Sequence, residues 1–243
     1  MRAMILAAGL GTRLRPLTND RPKALVEIDG RTLLEITLTR LRSVGVRDVI
    51  VNTHHFADMI AEYLRRHDFG MRIELSHEEE LLDTGGGLKK AAWFFLEQAS
   101  DEPFFLHNVD VLSAIDLPRM TRQHCESGAL ATLAVQRRAS SRQLLFNDQL
   151  QLCGRQNDNE EPELVRPAQN PNPLAFCGIH VISPRIFSLM SEEGVFSIIT
   201  TYLRLAERRE KIIGFRADEY DWRDVGTLES VSTAAKSSHK QKP

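Results

Sequence analysis

The chain has 243 residues, of which 42% are hydrophobic and 26% are charged, and its formal net charge at pH 7 is -2. This size allows a sizeable core, and the near-neutral charge gives no broad field for binding nucleic acid or an acidic membrane surface. No apolar stretch approaches the ~20 residues that span a bilayer, and the N-terminus lacks the apolar region of a signal peptide. The three cysteines lie far apart, so we expect a cytoplasmic protein without disulfides.

Short apolar runs alternate with helical spacing in the first half of the chain. The predicted strands are Ala3–Ala7, Asp48–Asn52, Arg72–Leu75 and Phe104–His107. The predicted helices contain Leu34–Leu41, which Gly45 follows as a stop, then Met59–Leu64, and then Leu88–Gln98. Strand, helix and strand at this spacing predict right-handed βαβ crossovers and a largely parallel sheet.

The second half is richer in predicted strands. They are Ala129–Gln136, a hairpin over Leu144–Leu152 that turns at Asn147–Asp148, Phe176–Ile182 and Ile212–Arg216. Residues 154–173 are polar and contain prolines, which predicts a loop, and an amphipathic helix is expected over Phe196–Arg208. The fold class is therefore α/β, with a Rossmann-like mixed, mainly parallel sheet flanked by helices and a small β-rich insertion. We expect one domain over residues 1–236 and a disordered tail over 237–243.

A cationic glycine loop follows the first strand. The amides of Gly9 and Gly11 can approach an anion closely, although a tight structural turn is an equal interpretation of the glycines alone. Leu14 stands where a dinucleotide fingerprint needs its third glycine, and a Walker lysine is missing at the required spacing. Arg13 and Lys23 favour a polyphosphate, because Arg forks onto phosphate oxygens and Lys acts as a point charge.

The pattern GxGTRxxPxTxxxPK over Gly9–Lys23 resembles the signature of the sugar-1-phosphate nucleotidyltransferases. Further segments similar to that family follow in order, namely "LLDTGGGLKKA", "HNVDVL", "FCGIHVISPRIF" and "WRDVGT". Within the family, the chain resembles the short, single-domain uridylyltransferases that act on N-acetylmuramic acid 1-phosphate. The resemblance implies the nucleotide-diphospho-sugar transferase fold. It also implies condensation of a nucleoside triphosphate, with UTP favoured, and a sugar 1-phosphate, with release of pyrophosphate.

The resemblance assigns phosphate contacts to the N-terminal loop. It implies a nucleotide-binding loop formed by Ala8, Gly9, Gly11 and Thr12. Arg13 would hold the leaving β- and γ-phosphates, and Lys23 would lie near the α-phosphate and the incoming sugar phosphate. Such a reaction needs positioning and charge neutralisation more than covalent help, which makes Arg13 and Lys23 the expected catalytic residues.

Two distant acidic residues are expected to share a magnesium ion. By resemblance, Asp110 would be the first ligand and Asp224 the second. Mg²⁺ commonly takes one or two carboxylates together with phosphates and water. Without the other motifs, each aspartate would more often form a turn or cap a helix.

Base and sugar recognition are expected in later motifs. By resemblance, the Glu78 side chain, the Asp83 backbone and Gly86 would contact the base, and a carboxylate acceptor suits uracil, thymine or guanine better than cytosine. Asn108 and Gly178 would contact the sugar. Three features depart from the family pattern and leave the sugar open. They are Val109 in place of glycine, the lack of a Glu-Lys-Pro motif between Leu164 and Pro173, and Phe176 where acetamido-sugar enzymes often have Asn.

The sequence leaves other functions open. The chain could be a guanylyl- or thymidylyltransferase, could act on a non-sugar phosphate, or could be a catalytically idle nucleotide-sugar-binding regulatory protein. His54 and His55 lack the further ligands of a zinc site, and the cluster Trp93–Phe95 is more typical of a core than of a base-stacking platform. The expected partners are a nucleoside triphosphate and a sugar 1-phosphate, without nucleic acid or membrane, in a monomer or small homo-oligomer.

Overall fold

A computed structural model describes residues 1–97 and 100–238. The strands are β1 (Arg2–Leu6), β2 (Glu27–Ile28), β3 (Arg31–Thr32), β4 (Asp48–Thr53), β5 (Arg72–His77), β6 (Phe104–Asn108), β7 (Val111–Ser113), β8 (Ala131–Gln136), β9 (Arg142–Phe146), β10 (Leu152–Asn157), β11 (Glu163–Leu164), β12 (Asn172–Ile182), β13 (Ile212–Arg216) and β14 (Trp222–Asp224). The helices are α1 (Leu33–Ser43), α2 (Ala57–Arg66), α3 (Asp83–Lys90), α4 (Ala92–Leu96), α5 (Leu117–Ser127), α6 (Ile186–Leu189), α7 (Ile198–Glu207) and α8 (Leu228–Ser238).

The chain divides into two compact units. Unit 1 contains Met1–Leu81, His107–Ala114 and Asp221–Pro243, and unit 2 contains Leu82–Leu106 and Ile115–Tyr220. The expectation of a single domain over residues 1–236 stays a prediction. The expected tail begins within α8, and its residues 239–243 lie outside the described part of the chain.

Unit 1 is built on parallel strands. β1 pairs with β4, and β4 pairs with β5, in the parallel register that the alternation of apolar runs and helices predicts. Helix α1 buries Leu34, Leu38 and Leu41, and its N-cap is Thr32, whose side chain accepts a hydrogen bond from the Glu35 amide. The predicted stop follows this helix, because Gly45 has a φ of +90°.

A two-stranded antiparallel ribbon completes unit 1. Strand β7 pairs with β14, so that Trp222 faces Ser113 and Asp224 faces Val111. Helix α8 packs against β14 and against the short strand β2. The ribbon therefore brings two parts of the chain that are more than 100 residues apart into one register.

The helix predicted over Leu88–Gln98 differs from the observed helices. Helix α3 begins five residues earlier, at Asp83, and α4 follows a break at Ala91, while Gln98 lies outside the described residues. The glycine run lies within the first turns of α3, because the tertiary packing around these turns leaves no room for larger side chains. A methyl group at Gly85 would collide with the Phe196 ring, and one at Gly86 would collide with the Gly194 carbonyl.

The sheet of unit 2 mixes both strand directions. Strand β8 pairs parallel with β13 and antiparallel with β12, which in turn pairs antiparallel with β9. The predicted hairpin is formed by β9 and β10, and the amphipathic helix predicted over Phe196–Arg208 corresponds to α7. Helix α5 packs on β8 and β12, and α7 packs on β10. The mixed sheet with flanking helices is thus confirmed.

The loop predicted over residues 154–173 is partly strand. Strand β10 extends to Asn157, β11 pairs with it, and β12 already begins at Asn172. The polar composition is compatible with this pairing because Arg155 and Glu163 face each other and form an ion pair of 2.6 Å. The amides of Val165 and Arg166 also donate to the Cys153 carbonyl.

The aromatic cluster expected in the core is only partly buried. Phe94 and Phe95 are buried, and Phe95 stacks on Phe104, whereas Trp93 is 48% exposed. Within the described residues, no helix has the length and apolarity needed to span a membrane.

Candidate active site

The glycine loop of unit 1 is exposed at its top and fixed at its base. Gly9, Thr12 and Arg13 are exposed, whereas Gly11 has a φ of +64° and its carbonyl accepts from the Thr18 hydroxyl at 2.8 Å. A Cβ at Gly11 would lie 3.0 Å from Thr18 Cγ2 and 3.2 Å from Lys23 Cβ. Only glycine therefore combines this backbone conformation with this close approach. The loop presents a polar, cationic surface on a fixed backbone.

A buried amide side chain holds the start of the loop. Asn52, at the end of β4, accepts from the Ala7 amide at 2.6 Å and from the Ala8 amide at 3.3 Å. Its own amide nitrogen donates to Glu78 Oε1 at 2.7 Å. Asn52 is 3% exposed and Glu78 is fully buried. The network connects the first residues after β1 to the segment that was expected to recognise the base.

Lys23 and Asp110 form an ion pair in unit 1. Lys23 begins a short 3₁₀ turn over Lys23–Leu25, and Asp110 lies between β6 and β7. The Lys23 ammonium contacts Asp110 Oδ2, and the two side chains are 11% and 15% exposed. The pair is therefore shielded from most of the solvent screening that weakens surface ion pairs.

The β7–β14 ribbon places Asp224 beside this pair. The Val225 amide donates to the Asp110 carbonyl at 2.9 Å, and the Gly226 amide donates to Asp224 Oδ1 at 2.6 Å. The ribbon is held from α1 by Arg40, which donates to the Ser113 hydroxyl. Burial lowers the pKa of Arg40 to about 10. Each contact of this ribbon restricts where the two aspartates lie.

Three charged groups meet beside Gly226. A Cβ at this position would lie 2.6 Å from Asp224 Oδ1, 3.0 Å from an Arg13 guanidinium nitrogen and 3.2 Å from Lys23 Nζ. The sequence prediction did not include Gly226, although it follows Asp224 closely within the "WRDVGT" motif. The structure thus brings Arg13, Lys23, Asp110 and Asp224 together in unit 1, where cations and carboxylates share one small volume.

The expected base-recognition residues Asp83 and Gly86 belong to unit 2. Asp83 has a φ of +58° at the start of α3, and its carboxylate accepts from the Thr84 amide. The amides of Gly85 and Gly86 both donate to the Phe196 carbonyl, at 2.9 and 3.2 Å. These contacts give the glycine segment a structural role within its own unit. The roles of Glu78, Asp83 and Gly86 at a base stay predictions.

The expected sugar residues lie in different units. Asn108 ends β6 in unit 1 and is half-buried. Its neighbour Val109 is buried and its amide donates to the Leu6 carbonyl, so this valine has almost no surface to present to a sugar. Gly178 lies in unit 2 with a φ of +73°, at an irregularity in the pairing of β12 with β8. Phe176 packs edge-on against His180 in the same strand.

The histidine pair has local partners. His54 Nδ1 is 2.8 Å from the Glu78 carbonyl oxygen, and the His55 ring lies 3.9 Å from that of Phe56. Over residues 1–97 and 100–238, no group of three or more His, Cys, Asp or Glu side chains is arranged to hold a metal.

Comparison with known proteins agrees with this arrangement. The nucleotidyl transferase family model matches residues 2–144. The chain is 34% identical over 218 residues to an N-acetylmuramate alpha-1-phosphate uridylyltransferase of Caulobacter vibrioides, and the match covers 84% of each chain. It is 27% identical over 233 residues to a mannose-1-phosphate guanyltransferase of Candida albicans, covering 93% of this chain and 61% of that protein.

A solved structure shows the same fold. The chain superimposes on a UDP-glucose pyrophosphorylase complexed with UDP-glucose with a TM-score of 0.79 and 18% identity, covering 99% of both chains. This confirms the predicted nucleotide-diphospho-sugar transferase fold. The chain therefore belongs to the nucleotidyl transferase family, and the resemblance of its motifs to those of sugar-1-phosphate nucleotidyltransferases is confirmed.

Proposed function

We propose that this protein condenses a nucleoside triphosphate with a sugar 1-phosphate to give a nucleotide-diphosphate sugar and pyrophosphate, with UTP as the favoured nucleotide. A phosphate oxygen of the sugar 1-phosphate attacks the α-phosphorus, and the bond from that phosphorus to the bridging oxygen breaks. The observation that carries the proposal is that Arg13, Lys23 and Asp224 converge beside Gly226. Asp110 belongs to the same cluster because it forms an ion pair with Lys23. A cytoplasmic location and a monomer or small homo-oligomer remain part of the proposal.

The cations of unit 1 would neutralise the negative charge of the phosphates. Arg13 is exposed on the loop and presents a planar fork suited to the β- and γ-phosphates, where negative charge accumulates as pyrophosphate leaves. Lys23 is held in place by Asp110, so its ammonium loses little freedom when it neutralises the α-phosphate and the attacking phosphate. The backbone amides of the exposed residues Gly9 and Thr12 would contact the triphosphate.

In this proposal, Asp110 and Asp224 would hold a magnesium ion. Both are carboxylates, which are the hard oxygen ligands that Mg²⁺ takes. The ribbon pairs their segments directly, because Asp224 faces Val111 and the Val225 amide donates to the Asp110 carbonyl. When bound, Mg²⁺ would neutralise phosphate charge and polarise the α-phosphoryl group.

The choice of UTP rests on the comparison with known proteins. The relative with 34% identity over 84% of both chains is named a uridylyltransferase. The Glu78 carboxylate adds no support to this choice, because the side chain is fully buried and its Oε1 accepts from Asn52. The similarity to a mannose-1-phosphate guanyltransferase makes guanylyl transfer the second candidate.

The test is a matrix of nucleotides and sugar phosphates. Purified protein is mixed with UTP, GTP, dTTP or CTP, a panel including N-acetylmuramic acid 1-phosphate, mannose 1-phosphate and phosphocholine, and Mg²⁺ or EDTA. Pyrophosphate release and the mass of the nucleotide product are measured. We expect release with UTP and one sugar 1-phosphate, and loss of release in EDTA. Release with GTP only would replace uridylyl by guanylyl transfer. No release with any pair would contradict catalysis and favour an idle regulatory protein.

A further inference from the structure

The first strand ends where the nucleotide loop begins, and a side chain takes over its hydrogen bonds there. β1 pairs with β4 as far as Leu6 opposite Asn52. The next two backbone amides, of Ala7 and Ala8, turn to the Asn52 side chain instead. Both alanines are buried, so water cannot replace a lost acceptor without cost. The direction in which the chain leaves the sheet therefore depends on one amide group.

The orientation of the Asn52 amide is unambiguous. A backbone N–H can only donate, so the atom facing Ala7 and Ala8 must be the oxygen. The nitrogen then faces Glu78, whose Oε1 accepts at 2.7 Å. The Glu78 backbone is also fixed, because its amide donates to the Thr53 carbonyl at 2.7 Å and its carbonyl lies 2.8 Å from His54 Nδ1. Glu78 is thus a rigid anchor rather than an adaptable one.

We infer that Asn52 is a positioning residue that couples the phosphate loop to the base-recognition segment. Through one amide group it fixes the backbone that enters the loop and the direction of the Glu78 carboxylate. The expected effects on kinetics rest on the proposed function. The effect of Asn52 on the backbone of Ala7 and Ala8 can be measured without any catalytic activity. Asn52 is 3% exposed and its side-chain amide is engaged by Ala7, Ala8 and Glu78, so the contribution that we assign to it is geometric.

An amide–carboxylate exchange tests the coupling. Asn52→Asp alone places two carboxylates side by side and removes the donor to Glu78. Glu78→Gln alone leaves two amides, which can still form a hydrogen bond. The double variant Asn52→Asp, Glu78→Gln restores one acceptor for the loop amides and one donor–acceptor contact between the side chains, with the chemistry reversed. Thr37→Val in α1 is the matched control, because it removes a buried hydrogen bond to Leu33 in the same unit without contacting this network.

Two readouts separate the inference from the proposed function. The first is amide hydrogen exchange of a peptide containing Ala7 and Ala8. The second is the KM for the nucleoside triphosphate, compared with kcat, in the pyrophosphate assay. We expect Asn52→Asp to exchange at least tenfold faster at these amides and to raise KM about tenfold, because the two carboxylates repel each other and the donor to Glu78 is lost. The double variant should return both values to within about threefold of wild type, and Thr37→Val should change neither.

Two outcomes would overturn the coupling. One is that exchange and KM stay within twofold of wild type in Asn52→Asp. The other is that the double variant is no better than Asn52→Asp. A wild-type protein that releases no pyrophosphate contradicts the proposed function instead, and the exchange measurement then still decides whether Asn52 fixes the loop.

Because Glu78→Gln changes a residue expected to contact the base, the whole nucleotide panel is measured. A change of nucleotide preference in this variant alone would assign Glu78 to direct recognition, whereas equal losses for all nucleotides would support positioning.

Discussion

Unit 1 and unit 2 use their polar side chains in different ways. In unit 1, charged groups from three separate segments approach one point beside Gly226. In unit 2, the half-buried Arg204 makes two hydrogen bonds to Glu192 and a third to the Leu189 carbonyl, and the buried His124 bonds Thr132 and Ser183. In unit 1, these charged groups from different segments meet at one point, while these polar groups of unit 2 form hydrogen bonds with one another. The contrast supports the proposal that the chemistry takes place in unit 1, and it gives these groups of unit 2 a stabilising role.

The same residue type illustrates the difference. A methyl group at Gly226 in unit 1 would meet an aspartate, an arginine and a lysine. At Gly214 in unit 2 it would meet Val135 at 3.1 Å and Phe146 at 3.3 Å. Both glycines allow neighbouring side chains to approach the backbone closely. The neighbours of Gly226 are charged, whereas those of Gly214 are apolar. Substitutions at matched positions can therefore separate effects on turnover from effects on stability.

Removing the ammonium of Lys23 should give the largest effect. We expect Lys23→Ala to lower kcat/KM about 10³-fold, because a fixed cation at the transferring phosphate is lost. Activity is measured by pyrophosphate release, and folding by circular dichroism. Arg21→Ala is the control, since Arg21 lies on the same loop but is exposed and pairs with its neighbour Asp20. A Lys23→Ala enzyme within tenfold of wild type would remove the central cation from the proposed reaction.

The strands of unit 1 could be predicted because their physical signal is local. Short apolar runs such as Met4–Ile5, which are buried, indicate a strand by their own composition, so the prediction needs no knowledge of distant contacts. The start of α3 could not be predicted in this way. Glycines 85–87 discourage a helix locally, and the reason they lie in one is their contact with Phe196 and Gly194, more than 100 residues away. Strand β11 was missed for a similar reason, because it depends on pairing with β10.

Motifs located the candidate site better than periodicity did. Four charged residues on three well-separated segments were expected together from the resemblance alone, and the structure places all four in unit 1. Asn52 was missed because it reads as the polar end of a buried strand, although an amide inside "DVIVNT" is itself unusual. Whether Glu78, Asp83, Gly86, Asn108 and Gly178 act as expected stays a prediction.

Acid should weaken both units through one histidine in each. Burial lowers the pKa of His107 in unit 1 and of His124 in unit 2 to about 4. The unfolded chain, with a histidine pKa near 6.5, takes up these protons first as the pH falls. The stability present above pH 6.5 is then lost between pH 6.5 and about 4, by up to about 1.4 kcal/mol per pH unit for each histidine.

Urea unfolding at pH 7.5 and pH 5.0 measures this loss. The wild type should lose about 2 kcal/mol for each histidine between these two pH values. His124→Gln keeps a polar side chain that cannot titrate, so its stability should depend less steeply on pH even if it is lower throughout. If wild type and His124→Gln have the same pH dependence, the buried histidine of unit 2 is not the cause.

A methyl group at Gly226 should disturb chemistry more than folding. We expect Gly226→Ala to lower kcat/KM about 10–100-fold, because Asp224, Arg13 and Lys23 must move apart by a fraction of an ångström or more. Its counterpart in unit 2, Gly214→Ala, should lower the free energy of unfolding by about 1–3 kcal/mol through overpacking, with little change in KM. Steady-state kinetics and urea unfolding of both variants provide the comparison. If Gly214→Ala loses turnover as strongly as Gly226→Ala, the division of roles between the units fails.

The smallest expected effect concerns the open side of the nucleotide loop. A Cβ at Gly9 would meet no atom within 4 Å, and Gly9 is not among the glycines with positive φ. Gly9→Ala should therefore leave the free energy of unfolding unchanged or raise it by about 0.4–1 kcal/mol, because the unfolded chain loses freedom. A triphosphate resting on this loop would meet the added methyl group, so KM for the nucleotide should rise several-fold at nearly constant kcat. Stability that is kept while KM rises would show that the space above Gly9 belongs to a ligand. An unchanged KM would mean that the phosphates lie elsewhere, and the roles of Gly9 and Thr12 would then have to be reassigned.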